Sequence, residues 1–283
     1  MSTTIATNLP ELPTINLTAR LRELYARRET IMFLVTSNLR AGHRDKFFGR
    51  LWSLLDPLLF MLVYLVVFGY SFRQMKGSVA EFIIYLLCGV MSWRFFDGSI
   101  TAATGCIRSN RGLIHEINFP KAVFPTSACL ARLSDFLWGF AAMFIIIILV
   151  GRSHFSLQMF WIPVIMAVQL VFTLGMCFMV AYMGAFFADT ANLIGVGLRL
   201  MFYMSPIFYR VSKSEGGIVP DEYLPYYMLN PLACFFEAFR ACILKASPPD
   251  PAHMTYATVA AIAAFAAGFY VFSRGEGHFA KYI

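Results

Sequence analysis

Hydrophobic and polar positions in this chain separate into long blocks rather than alternating within helix turns. No Asp, Glu, Lys or Arg occurs between Asp56 and Arg73, or between Asp135 and Arg152. The stretches from Arg152 to Asp189 and from Asp250 to Arg274 are equally bare. A helix crossing a bilayer needs roughly 20 mostly apolar residues, so each run with its flanks predicts a span. Two weaker runs, about 80–104 with Arg94 and Asp97 and about 191–210 with Arg199, bring the expected count to six. The pattern reads as an all-α integral membrane protein whose membrane domain covers residues 51–283.

Residues 1–50 follow another pattern. Pro10 and Pro13 mark a loose tail, and no apolar core of a secretory signal is found there. From about Asn16, the residues Leu17, Leu21, Leu24, Tyr25, Met32, Val35 and Leu39 recur at helical spacing, with Arg20, Arg22, Arg27 and Arg28 between them. This predicts a basic amphipathic helix lying at the membrane interface. A cytoplasmic helix packed on another protein has the same pattern.

Composition agrees with the segment pattern. Apolar residues make up 59% and charged residues 14% of the 283 positions, against about 45–50% and about 25% in soluble domains. A surface with so little charge suits lipid rather than water. The net charge of +7 is concentrated in loops rather than spread as a nucleic-acid patch, so no nucleic-acid partner is expected. With both termini inside, 13 of the 23 Lys and Arg fall on inner segments, 7 on outer ones and 3 within spans. That bias favours cytoplasmic termini.

Candidate chemistry is sparse. Cys88, Cys106, Cys129, Cys177, Cys234 and Cys242 form no CxxC pair, and His43, His115, His154, His253 and His278 lie far apart. No carboxylate cluster, GxSxG, HExxH or phosphate loop is present, so the chain is expected to bind no cofactor and to hydrolyse no ATP itself. Two i,i+3 pairs, Arg94 with Asp97 and Arg132 with Asp135, put opposite charges on one helix face. Ionisable groups within spans usually face the bundle interior or a watery path; near a span end they serve as anchors. The 29 Phe, 13 Tyr and 4 Trp suit lipid contact and interface belts, and also a path lined for sugar rings. Between the second and third spans, Ile107–Pro125 mixes apolar and charged residues and is broken by Pro120 and Pro125. Gly112 to Phe119 is expected to form a short helix projecting from the membrane, suited to docking a soluble motor.

Four segments then resemble a known family, the polysaccharide-export branch of the ABC-2 type permeases. Leu39–Leu59 resembles the approach to the first span through Leu39, Arg44, Gly49, Leu51, Trp52, Ser53, Leu54, Leu55, Pro57, Leu58 and Leu59. The coupling segment is matched at Leu113, Ile114, Phe119, Pro120 and Lys121, the end of the fifth span by Phe202–Tyr209, and the approach to the sixth by Asn230–Arg240. Asp45 and Lys46 depart from the usual Gly-Ser, and His43 from the usual Tyr.

The resemblance implies a half-transporter in the bacterial inner membrane. Two copies would enclose one path, and two copies of a separate ABC ATPase, carrying ATP and Mg, would dock beneath. The implied cargo is a polysaccharide on a polyprenyl diphosphate lipid, such as O-antigen or teichoic acid. On this reading Arg108, Arg111, Leu113, Ile114, His115, Glu116, Phe119, Pro120 and Lys121 form the ATPase-coupling segment. Arg40, Arg44, Lys46 and Arg50 form an inner rim for the diphosphate, and their charge also suits anionic lipid headgroups. Candidates for the path are Trp52, Trp93, Arg94, Asp97, Arg132, Asp135, Arg199 and Tyr203. Pro206, Asn230, Pro231, Glu237 and Arg240 belong to an outer gate of short re-entrant helices between the fifth and sixth spans. The alternatives are an ABC-2 exporter of a drug or small lipid, and a lipid-modifying membrane enzyme, which would act without an ATPase.

Overall fold

The computed structural model describes residues 17–43, 79–116, 119–150, 156–210 and 221–279, with isolated positions 55, 59, 62, 63 and 66. All regular structure among them is helical. An N-terminal pair, α1 (Leu17–Ala26) and α2 (Arg28–His43), is followed by α3 (Val79–Ser109), the short α4 (Arg111–Glu116) and α5 (Val123–Val150). A 3-10 turn, Leu157–Trp161, runs into α6 (Ile162–Phe186). Then come α7 (Thr190–Met204), α8 (Leu224–Tyr227), α9 (Pro231–Ile243) and α10 (Pro251–Gly275).

Four segments among the described residues are long and apolar enough to cross a membrane: Glu81–Ser109, Val123–Ile145, Leu157–Phe186 and Pro251–His278. Most of the run between Asp56 and Arg73 lies outside the described residues. The expected span at 191–210 is shorter than its apolar run. α7 has 15 residues, about 22 Å at the α-helical rise, against a hydrocarbon core of about 30 Å. It stops because Ser205 precedes Pro206, which forces the residue before it out of the helical region; Ser205 is extended at φ −90° and ψ 145°. α5 differs in the other direction. It starts at Val123, well before the charge-free run, so Arg132 and Asp135 both lie inside the helix.

α3 is the central helix, packed against α5, α6, α7 and α9. It is fixed to α6 by a reciprocal amide–hydroxyl pair: Ser92 Oγ donates to Gln169 Oε1 at 3.0 Å, and Gln169 Nε2 donates to the Ser92 carbonyl at 2.9 Å. Both side chains are buried, and the pairing satisfies a side-chain amide that could not be left alone in hydrocarbon.

α6 and α10 are joined more closely still. A methyl group on Gly268 would lie 2.1 Å from the Gly175 carbonyl oxygen, and one on Gly175 would meet the Phe265 backbone nitrogen at 2.4 Å. Helices in membranes associate through such small residues, because lipid tails compete with larger apolar ones. Gly184 brings α6 equally close to the Thr104 carbonyl of α3.

The N-terminal helices pack on their own chain. Ile31, Leu34 and Val35 of α2 are buried in a cluster with Ile114 of α4, Val123 and Phe124 of α5 and Phe272 of α10, while Tyr25, Met32 and Phe33 are exposed. α1, α2, α4 and the end of α10 thus share one end of the bundle. The start of α3, the end of α7 and α8–α9 form the other.

The glycine contact makes a direct test. Gly268→Val should destabilise the chain by at least about 1–3 kcal/mol, since the backbones must separate. Gly277→Ala, at a site with open space, should be silent. Thermal aggregation of the detergent-solubilised protein, followed by size-exclusion chromatography, reads both; equal stability of the two variants would contradict the close packing.

Candidate functional site

Three charged regions, one at each end of the bundle and one between, carry the polar chemistry of the described residues.

The first is built by the two segments that flank the 211–220 region. α9 begins with a strong local signal: Asn230 is extended, its Oδ1 accepts the Leu232 N–H at 3.0 Å, and Pro231 occupies the first turn. Asn230 Nδ2 also donates to Ser205 Oγ at 3.0 Å, and Pro206 is buried beside it. Tyr227 hydrogen-bonds with the Tyr209 hydroxyl and the Met204 carbonyl. Pro206, Asn230, Pro231, Glu237 and Arg240 are therefore brought together.

Arg240 is the centre of this region. Its side chain is 1% exposed, and its Nη1 pairs with Glu237 Oε1 at 2.8 Å. Nη2 donates to the Ile207 carbonyl at 2.9 Å and Nε to the Tyr85 carbonyl at 3.4 Å. The guanidinium lies 3.5 Å over the Tyr85 ring, a cation–π contact strengthened by desolvation. Tyr85 in turn donates its hydroxyl to the Tyr209 carbonyl at 2.7 Å. Gly89 makes room: a methyl group there would stand 2.9 Å from Nη2. Tyr85 and Gly89 went unnoticed in the sequence, because neither carries a local signal and each acts across more than a hundred residues.

The second region lies within the membrane helices. Arg132 Nη1 pairs with Asp135 Oδ2 at 3.3 Å, and the Arg132 stem crosses Gly98 of α3, where a methyl group would be 3.4 Å from Cδ. Asp97 lies in the field of both Arg94 and Arg132. The two i,i+3 pairs thus converge between α3 and α5 into one cluster with two charges of each sign. Other path candidates are separate from it. Trp93 is buried against Phe96 and Phe202, with centroids 5.9 and 5.6 Å away; Arg199 and Tyr203 are exposed on α7. Trp52 lies outside the described residues.

The third region is the segment joining α3 to α5. α4 covers Arg111–Glu116, with Ile114 buried as its anchor and Arg111, Leu113, His115 and Glu116 exposed. Arg108 is exposed and its Nη2 donates to the Ala185 carbonyl at 3.4 Å. Phe119 is half-buried on Phe124, centroids 5.5 Å apart, and Pro120 is buried. The Lys121 backbone N–H donates to Glu276 Oε1 at 2.5 Å. Glu276, at the end of α10, carried no sequence signal. Arg40 is exposed on α2; Arg44, Lys46 and Arg50 lie outside the described residues.

Comparison with known proteins gives a consistent picture. Residues 29–244 match the ABC-2 type transporter family. The chain is similar to an O-antigen export system permease protein RfbA of Myxococcus xanthus, 29% identical over 90% of this chain and 96% of that protein. It is also similar to an O-antigen export system permease protein RfbA of Klebsiella pneumoniae, 26% identical over 77% and 81% of the two chains. A polysialic acid transport protein KpsM of Escherichia coli is 23% identical over 74% and 78%.

The environment of Arg240 predicts unequal mutants. Arg240→Gln leaves two carbonyls and Glu237 without their donor, and breaking a buried pair from one side costs about 3–5 kcal/mol. Glu237→Gln should cost less, because that side chain is 26% exposed and its amide oxygen still accepts from Nη1. The charge swap, Glu237→Arg with Arg240→Glu, should not restore stability, since a carboxylate cannot donate to the Ile207 and Tyr85 carbonyls. Unfolding midpoints in detergent check the order; a swap as stable as the parent would contradict it.

Proposed function

The chain belongs to the ABC-2 type transporter family, and from that premise we propose that it is the transmembrane permease subunit of an ATP-driven polysaccharide exporter. The observation that carries this reading is the similarity over nearly full length to a protein named as an O-antigen export permease. The chain itself is a permease, not an enzyme. Energy comes from a separate ABC ATPase with its ATP and Mg, docked in two copies beneath two copies of this chain.

The cargo is a lipid-linked polysaccharide, held by a polyprenyl diphosphate and moved outward across the bacterial inner membrane. The end bearing α1, α2, α4 and Glu276 is cytoplasmic on this reading, so both termini lie inside. The run between Asp56 and Arg73, and α7 together with its non-helical continuation Ser205–Tyr209, supply the two further spans, for six in all. The diphosphate meets the inner cations Arg40, Arg44, Lys46 and Arg50, among which arginine offers paired donors to phosphate oxygens. The balanced cluster of Arg94, Asp97, Arg132 and Asp135 lies on the polar path. A net-neutral set of fixed charges suits a long polar chain that must slide and not stick.

α8 and α9 form the re-entrant outer gate. α9 has 13 residues, about 20 Å of helix, too short to span. Nearly all its side chains are buried, from Leu232 to Ile243. Non-spanning backbone at membrane depth is tolerated when it is covered by protein in this way.

The exposed face of α4 supports ATPase docking, with Ile114 as its single buried anchor. Leu113→Glu together with Glu116→Lys should reduce co-purification of the partner ATPase and ATP-dependent glycan translocation into inverted vesicles by about tenfold or more, the loss of roughly 1.4 kcal/mol or more of interface energy. Insertion and thermal stability should stay unchanged, as both side chains are exposed. Undiminished ATPase binding would place the docking surface elsewhere.

A further inference from the structure

Glu276 is a buried carboxylate with no part in the scheme above. It opens the 3-10 turn Glu276–His278 that ends α10, and only 7% of it is exposed. Burying a carboxylate is costly unless charge and hydrogen bonds compensate, and its partners come from two distant parts of the chain. The Lys121 backbone N–H donates to Oε1 at 2.5 Å. Arg20 Nη1 of α1 lies 3.8 Å from Oε2. The Lys121 ammonium donates in turn to the Glu276 carbonyl at 3.2 Å.

The position of Lys121 explains the arrangement. It lies two residues before α5, a 28-residue helix with no acidic residue in its first turn. Helix N-termini leave N–H groups without intrahelical partners and carry the positive end of the dipole. Pro120 has no N–H to offer, so Lys121 presents the first donor of the chain entering α5. A carboxylate there usually comes from a local cap. Here it comes from 155 residues away, at the far end of the chain.

The turn that carries Glu276 is itself firmly held. Phe279 packs on Phe272 and Phe186, with centroids 5.2 and 5.6 Å apart, and a methyl group on Gly275 would stand 2.2 Å from the Tyr182 ring. The carboxylate is thus fixed to the α6–α10 pair, while the donor belongs to the α4–α5 connection.

We infer that Glu276 is a positioning residue that locks the coupling segment to the end of α10, so that the two move as one body when the ATPase acts on α4. The inference rests on the exporter reading above, and the label measurement that tests it needs no cargo. Labels at Gly112→Cys on α4 and Gly277→Cys beside Glu276 stand on exposed positions with open space around them; the six native cysteines are buried. In nanodiscs with the partner ATPase, the label separation should be the same with and without ATP in the otherwise unsubstituted chain. Two variants break the lock from opposite sides: Glu276→Leu removes the acceptor, and Lys121→Pro removes the donor. In both, the separation should change with ATP, and ATP consumed per exported glycan should rise about tenfold, as expected for a lost charge-assisted hydrogen bond. Glu276→Gln keeps an acceptor oxygen and should behave like the parent.

A nucleotide-dependent separation in the unsubstituted background overturns the inference whether or not the variants assemble. So does a parent-like Glu276→Leu or Lys121→Pro, or a Glu276→Gln as defective as Glu276→Leu. Failure of the wild-type complex to move glycan would count against the exporter reading, and leaves the label measurement standing.

Discussion

Hydrocarbon offers a polar group no water to fall back on, and this constraint accounts for most of what organises the bundle. The Arg240 guanidinium shows it most sharply. It is 1% exposed, and its donors reach one carboxylate and two backbone carbonyls while its face rests on Tyr85. Ile207 and Tyr85 offer carbonyls because the chain is broken after Met204 and because Gly89 lets Arg240 come close. The same demand appears between α3 and α6, where Ser92 and Gln169 satisfy one another. Where no polar partner is at hand, backbones meet through glycine, as at Gly175 and Gly268.

The apolar blocks were legible because their length matches a bilayer, and α6 and α10 follow them closely. Helix ends set by proline were legible too: Pro206 ends α7 and Pro231 starts α9 for reasons internal to the peptide bond. α5 begins before its charge-free run, and helix continues through the Arg132–Asp135 pair because Arg132 lies along Gly98 of α3 and pairs with Asp135. The fifth apolar run was longer than its helix for the converse reason, as composition continues past a break that backbone sterics impose. Each i,i+3 pair was readable by itself. Their convergence at Gly98, the Tyr85 ring beneath Arg240 and the Glu276 cap of Lys121 all depend on which helices neighbour one another. Local spacing carries no such information.

The N-terminal pattern illustrates a related ambiguity. Amphipathic spacing specifies that one face is covered, not by what. α2 uses Ile31, Leu34 and Val35 against its own chain and leaves Met32 and Phe33 outward, so both a protein face and an apolar outer face exist on one helix. A basic helix with two apolar faces fits the corner where a bundle meets the lipid headgroups, since arginine stems reach the aqueous side from either.

One element touches both polar ends of the molecule. Near its start, the Tyr256 hydroxyl of α10 donates to the Leu229 carbonyl at 2.6 Å, next to the Asn230 cap that begins α9. At its finish stands Glu276, bonded to the α4–α5 connection at Lys121. Between them, Gly268 presses on the Gly175 backbone and leaves no side-chain layer that could shear. Side chains can change rotamer and absorb a displacement; two backbones in contact cannot, because close-packed interiors transmit strain instead of dissipating it. A displacement of the Lys121 region therefore cannot be taken up by sliding of α10 on α6. It must be carried along the pair or resisted by both ends together, and the opposite end is where Asn230, Tyr227 and Arg240 hold α9 to the break after α7.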